Sequence, residues 1–164
     1  METVALFLQA KANTYTLGSR EFDIFGRSSF NRYYYAVYLE VRSMLGAINK
    51  TWATAQHAAI PELLTGQVLK TIKRRRILAD RLDDNEASLI CTRAAAAAND
   101  LADLMKEAYA VRVTADYSPH IPIEADGKGR FRLNFVTVTA AHDWLARSRE
   151  LANRIKRAWN LLDD

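Results

Sequence analysis

Cysteine, proline and glycine are all scarce in this chain of 164 residues, with one, three and six of them respectively. The single cysteine, Cys91, excludes an internal disulfide and fits a reducing cytoplasm. So few prolines and glycines leave long stretches without backbone breakers. No apolar run approaches the roughly 18 residues that a spanning helix needs, so no membrane segment is expected. Glu2, and the lack of a basic stretch before Val4-Ala5-Leu6-Phe7-Leu8, argue against a signal peptide. Neither sign of charge dominates. The net charge of +4 is a mild basic excess that favours encounter with polyanions without naming one. What is present is ordinary for a globular chain: 49% hydrophobic and 26% charged residues, enough for one domain over residues 1–164 with a full core.

The apolar residues recur at helical spacing, and the expected class is all-α: an up-and-down bundle of four to five helices. A first helix is expected from about Glu2 to Leu17, with Val4, Leu8, Ala12 and Tyr15 on one face and Gly18 as its stop. Ser28 or Ser29 offers an N-cap for a second helix to about Asn49, striped by Phe30, Tyr34, Val37, Val41, Leu45 and Ile48. Residues 51–59 form a connector. Pro61 suits the first turn of a third helix, which passes through Leu63, Leu64, Val68, Ile72 and Ile77. Asp84 or Asn85 caps a fourth, with Ala94, Ala97, Leu101, Leu104, Ala108, Val111 and Ala115 inward, and its alanine run marks close packing. Around Asp126-Gly127-Lys128-Gly129 the pattern alternates, which predicts a short β-hairpin insert near residues 121–138. Thr139 then caps a last helix to about Leu162, with Trp144, Leu151, Ile155 and Trp159 facing the core.

Two arginines stand out on these helices. Arg32 sits in Asn31-Arg32-Tyr33-Tyr34-Tyr35-Ala36-Val37-Tyr38, and Arg112 in Arg112-Val113-Thr114-Ala115-Asp116-Tyr117. A cation among so much apolar surface is costly to bury unless something anionic meets it. One reading makes both structural: Arg112 pairs with Asp116 at i,i+4, and Arg32 bridges to a carboxylate such as Asp116. The other makes them a phosphate site, since a guanidinium fork matches phosphate oxygens. The tyrosines at 33, 34, 35 and 38 cover too much of a turn to share one face, so core, interface and base-stacking roles are all open. Lys73-Arg74-Arg75-Arg76 spans more than one turn, either as a solvated face or as RNA phosphate contacts. His57 and His142 lack ligand spacing, so no metal is expected. There is no P-loop, so no cofactor is expected either.

The two arginine segments resemble the paired helical motifs of HEPN domains (higher eukaryotes and prokaryotes nucleotide-binding). Residues 31–38 are similar to the family's R-x-Y-Y-A helix, and Arg112 to Tyr117 to the R-x-x-A-D-Y end of its later long helix. The likeness spans roughly residues 1–118 and the last helix. It implies a helical bundle, a homodimer, and binding of RNA or a nucleotide. Many members are metal-independent endoribonucleases that act as toxins or antiviral-defence effectors, some paired with a nucleotidyltransferase antitoxin that modifies a tyrosine near the position of Tyr117. Ribonuclease members carry a histidine separated from the arginine by four to six intervening residues. In this chain that pattern is degenerate, since Asp116 falls just short of that range and His120 just beyond it.

The resulting candidates are Arg112, Asp116 and His120 for catalysis, and Arg32, Lys73, Arg74, Arg75, Arg76 and Tyr117 for RNA or phosphate binding. Metal-free cleavage needs a charge stabiliser and proton-transfer groups, roles that suit arginine and histidine. An exposed aspartate, with a reference pKa near 3.9, is a poor acid at neutral pH. The alternative is a catalytically inactive module that binds a partner protein.

Overall fold

The computed structural model describes residues 1–127 and 129–161. The fold is all-α, a helical bundle that is 76% helical with a small antiparallel sheet. In chain order the elements are α1 (Glu2–Ala12), α2 (Arg20–Ile48), a 3₁₀ turn (Lys50–Trp52), α3 (Ala59–Leu63), a π-helical segment (Leu64–Val68), α4 (Leu69–Arg81), α5 (Asn85–Tyr117), β1 (Ile123–Ala125), β2 (Phe131–Leu133), β3 (Val136–Thr137) and α6 (Val138–Asn160). The π segment joins α3 to α4 without a break, giving five helices among the described residues. Among the described residues no helix is long and apolar enough to cross a membrane.

Three boundaries differ from expectation. α1 stops at Ala12 rather than Leu17, because Thr14 folds back and donates its hydroxyl to the Lys11 carbonyl at 2.7 Å. Its exposed Val4 is not core; Ala5 and Ala12 are. α2 begins at Arg20, not at Ser28 or Ser29. The chain turns through Gly18 at φ +78°, and Ser19 Oγ accepts from the Phe22 amide at 3.1 Å as the true cap. Ser29 is mid-helix and fully buried, and donates to the Gly26 carbonyl at 2.7 Å. At α6, Thr137 rather than Thr139 supplies the cap, accepting from the Ala140 amide at 3.1 Å. Ile77, placed inward by periodicity, is 48% exposed. Lys128 of the expected turn and Leu162 of the last helix lie outside the described residues.

The chain resolves into two compact units. The first comprises Met1–Tyr38 and Glu107–Leu145, the second Leu39–Lys106 and Ala146–Asp164. In the first unit the expected hairpin is a three-stranded meander, β1-β2-β3, with Ile123 opposite Leu133 and Leu133 opposite Val136. Phe131 of β2 meets Phe22 and Phe30 edge-on, with ring centroids 5.6 and 5.9 Å apart, and all three rings are buried. Gly26 explains how α2 comes so near the sheet. A Cβ there would stand 3.0 Å from Ile123 Cγ1, tighter than ordinary van der Waals contact.

In the second unit, Trp52 packs edge-on against Trp159 at 5.8 Å, and the alanines of α5 at 94, 97, 98 and 102 are buried as expected for close helix packing. The basic run of α4 splits as its helical angles dictate. Lys73, Arg74 and Arg76 are exposed, whereas Arg75 is half-buried and its charge acts on the buried Cys91 thiol. Burial pushes that thiol above its ordinary value despite the arginines, so Cys91 behaves as a small core residue rather than a nucleophile.

Candidate functional site

The C-terminal turn of α5 leaves carbonyls without partners inside the helix, and Pro119 just beyond cannot continue it. Arg27 of α2 answers this. Its Nη1 donates to the carbonyls of Thr114, Ala115 and Ser118 at 3.2, 3.2 and 3.3 Å, and its Nη2 to Pro119 at 3.4 Å and to Ile121. Its Nε donates to Asp23 Oδ2 at 2.6 Å, and the other oxygen of Asp23 accepts from the Ile123 amide at 2.9 Å. One side chain, 11% exposed, thereby fixes the end of α5 and the start of β1 against α2. Sequence periodicity gave no weight to Arg27. The signal was Asp23 four residues earlier, a spacing that pairs charges on a helix.

One turn further along α2, Asn31 and Arg32 face the same end of α5. Together with Ile24, Arg27, Ser28, Ala115 and Asp116 they line a cleft of about 260 Å³. Asp116 is held from two sides: Arg112 Nε lies 3.0 Å from its Oδ2, and Asn31 Nδ2 donates to its Oδ1 at 2.5 Å. The i,i+4 pair of Arg112 and Asp116 therefore exists, and it is largely shielded, with side chains 18% and 25% exposed. A bridge from Arg32 to Asp116 does not form. Arg32 rests over the Tyr35 ring at 5.8 Å, and among the described residues it makes no ion pair.

Arg112 is held from above as well. Its guanidinium lies 5.4 Å from the centroid of the Tyr117 ring. Burial alone would lower its pKa, but Asp116 and the hydroxyls of Tyr117 and Tyr35 outweigh this and raise it. The cation is permanent. Behind it, Tyr33, Tyr34 and Tyr38 are all buried, so the tyrosine cluster belongs mainly to the core. Tyr34 packs against Tyr35, Tyr38 and Tyr109 with centroids 5.5 to 6.2 Å apart. Burial drives the Tyr34 phenol well above its ordinary value, and does the same to Tyr33, pushed up to about 12, with Glu2 adding to the effect.

Among the described residues, three buried side-chain polar atoms lack a hydrogen-bond partner, and two of them, Asn31 Oδ1 and Arg112 Nε, belong to the residues that grip Asp116. The Arg112 N–H lies at ion-pair distance from Asp116 but is not aimed for a hydrogen bond. Buried polar atoms in folded proteins are nearly always satisfied, so their concentration in one place is informative.

The remaining candidates are not among the residues that line the cleft. Tyr117 is 68% exposed at the last residue of α5. His120 lies off the helix in the exposed turn that follows, as its position after Pro119 suggested. Lys73, Arg74, Arg75 and Arg76 are on α4 in the second unit. Arg76 Nε is 4.0 Å from Asp80 Oδ2, whereas Lys73 and Arg74 line a shallow hollow with Lys70, Leu69 and Ile77. No group of three or more His, Cys, Asp or Glu side chains is placed to hold a metal ion among the described residues. No family model matches the chain, and no curated protein or solved structure matches it either.

Proposed function

We propose that the chain is a HEPN-like protein that binds RNA or a nucleotide, taking a phosphate in the cleft beside Arg32. The observation that carries this reading is the contrast among three arginines at one helix end. Arg27 is spent on backbone carbonyls and Asp23, and Arg112 is matched by Asp116, but Arg32 borders the cleft without an ion pair among the described residues, the Asp116 carboxylate there being held by Arg112 and Asn31. A guanidinium in no ion pair, beside the Ser28 hydroxyl and the Asn31 amide, suits a phosphate oxygen pair. The motif resemblance points the same way, and it also carries the proposals of a homodimer and of a toxin or defence role alongside a partner antitoxin.

The geometry favours holding a phosphate over cutting the strand. Cleavage without a metal needs a proton-transfer group at the arginine. Asp116 is tied between Arg112 and Asn31, and His120 stands in the exposed turn beyond α5.

The test is fluorescence anisotropy with labelled single-stranded RNA and with a labelled nucleotide, in EDTA. Wild type is expected to bind with an affinity that falls steeply with salt, and Arg32→Ala to bind about tenfold more weakly. Equal binding by the two proteins would sink the phosphate site, and no binding by either would leave the partner-protein module as the reading. RNA cut by wild type but not by Arg112→Ala would add catalysis to binding.

A further inference from the structure

The second unit contains a convergence of arginines that neither the cleft nor the α4 run involves. Arg93 of α5 and Arg154 and Arg157 of α6 line one hollow of about 320 Å³, and the other lining residue is Ile90. Guanidinium groups do not shed their protons, so cations gathered around one space repel unless an anion joins them. Two glutamates offset part of this charge. Arg154 Nη2 is 2.5 Å from Glu150 Oε1, and Arg157 Nη2 is 3.6 Å from Glu86 Oε1. Neither glutamate lines the hollow, and every side chain in both pairs is more than half exposed, so water competes strongly for these contacts. Arg93 makes no ion pair among the described residues.

We infer that this hollow is a second anion site, one that takes a phosphate-bearing ligand of nucleotide size. The lining explains the class. Forked donors arriving from two helices can grip several phosphate oxygens at once, which single-point ammonium groups would not do. The volume exceeds what one phosphate fills, and the Ile90 side chain gives the remainder of a ligand an apolar wall. The phosphate can arrive on a free nucleotide or at the end of an RNA strand, and the chemistry that recognises it is the same. This site does not depend on the reading of the Arg32 cleft.

Isothermal titration of the full chain with tripolyphosphate, with ATP, and with short RNA carrying either a 5′-phosphate or a 5′-hydroxyl tests the proposal. Wild type is expected to bind tripolyphosphate or ATP, with Arg93→Gln and Arg157→Gln each weakening that binding about tenfold. In an Arg32→Ala background, where binding at the cleft is already weakened, the losses from Arg93→Gln and Arg157→Gln are expected to persist, which separates this site from the cleft. Circular dichroism checks that the variants stay folded, as the exposure of Arg93 and Arg157 leads one to expect. Tighter binding of ATP than of either RNA assigns the source to a free nucleotide. A gain from the 5′-phosphate of RNA assigns it to a strand end. Binding that is absent in wild type, unchanged from wild type in both glutamine variants, or lost only in Arg32→Ala overturns the site.

Discussion

Arg27 and Arg32 stand five residues apart on one helix and meet opposite fates. Arg27 reaches the end of α5, where five carbonyls and a carboxylate take up its donors. Arg32 reaches the cleft beside it and rests over an aromatic ring, while the Asp116 carboxylate on that cleft is already held by Arg112 and Asn31. Both are arginines near the same helix terminus, so residue type and location do not separate structure from function. What separates them is whether the donors are already used. A saturated guanidinium holds the fold, whereas an unsaturated one is available to a ligand.

The largest effect should come from the saturated arginine. Arg27→Ala strips the carbonyls at the end of α5 of their donor and strands Asp23, and removing one partner of a shielded, hydrogen-bonded pair costs about 3 kcal/mol or more. Urea denaturation should show a fall in midpoint of that size. A change under about 1 kcal/mol would mean that water replaces Arg27 easily, and the contrast with Arg32 would collapse.

How much of this was legible beforehand follows from the kind of signal each feature leaves. The α5 stripe from Ala94 to Ala115 was readable because apolar residues at 3.6 spacing report burial directly, and every one of its expected inward positions is buried. The start of α2 was not. Ser28 and Ser29 looked like caps, yet they lie within the helix, and Gly26 just before them is a helical residue kept small by the approach of Ile123, a contact that exists only once β1 folds back about 100 residues later. The pairing of Arg112 with Asp116 was visible because it is local. The grip of Asn31 on Asp116 and the capping by Arg27 join α2 to the end of α5, and the three arginines around Ile90 join α5 to α6. Such contacts have no spacing to read. Tertiary geometry alone reveals which charges remain unmatched.

A second measurement probes the buried phenols of α2. The Tyr33 phenol donates to Gln9 Oε1 at 2.5 Å, and burial holds both Tyr33 and Tyr34 neutral above their ordinary range. Below about pH 10 the phenols are protonated in folded and unfolded chains alike, so they make no pH-dependent contribution. As pH rises further the unfolded chain releases protons that the folded chain retains, and stability falls by at most about 1.4 kcal/mol per pH unit for each group. Denaturation midpoints between pH 9 and 11 should therefore drop, and drop less steeply in Tyr33→Phe. An unchanged slope in that variant would place the Tyr33 hydroxyl in contact with water, and the tyrosine cluster would no longer count as core.

The smallest effect on stability should come from the other member of the pair, and it sharpens the comparison most. Arg32→Ala removes a half-buried side chain that packs on Tyr35 but breaks no ion pair found among the described residues, so the expected change is within about 0.5 kcal/mol. The same substitution is expected to weaken RNA or nucleotide binding about tenfold. A stability loss comparable to that of Arg27→Ala would mean that Arg32 is also structural, and the cleft would lose its free cation. Unchanged stability with weakened binding would establish the division between them: two like charges on one helix, one consumed by the end of α5 and the other left for a ligand.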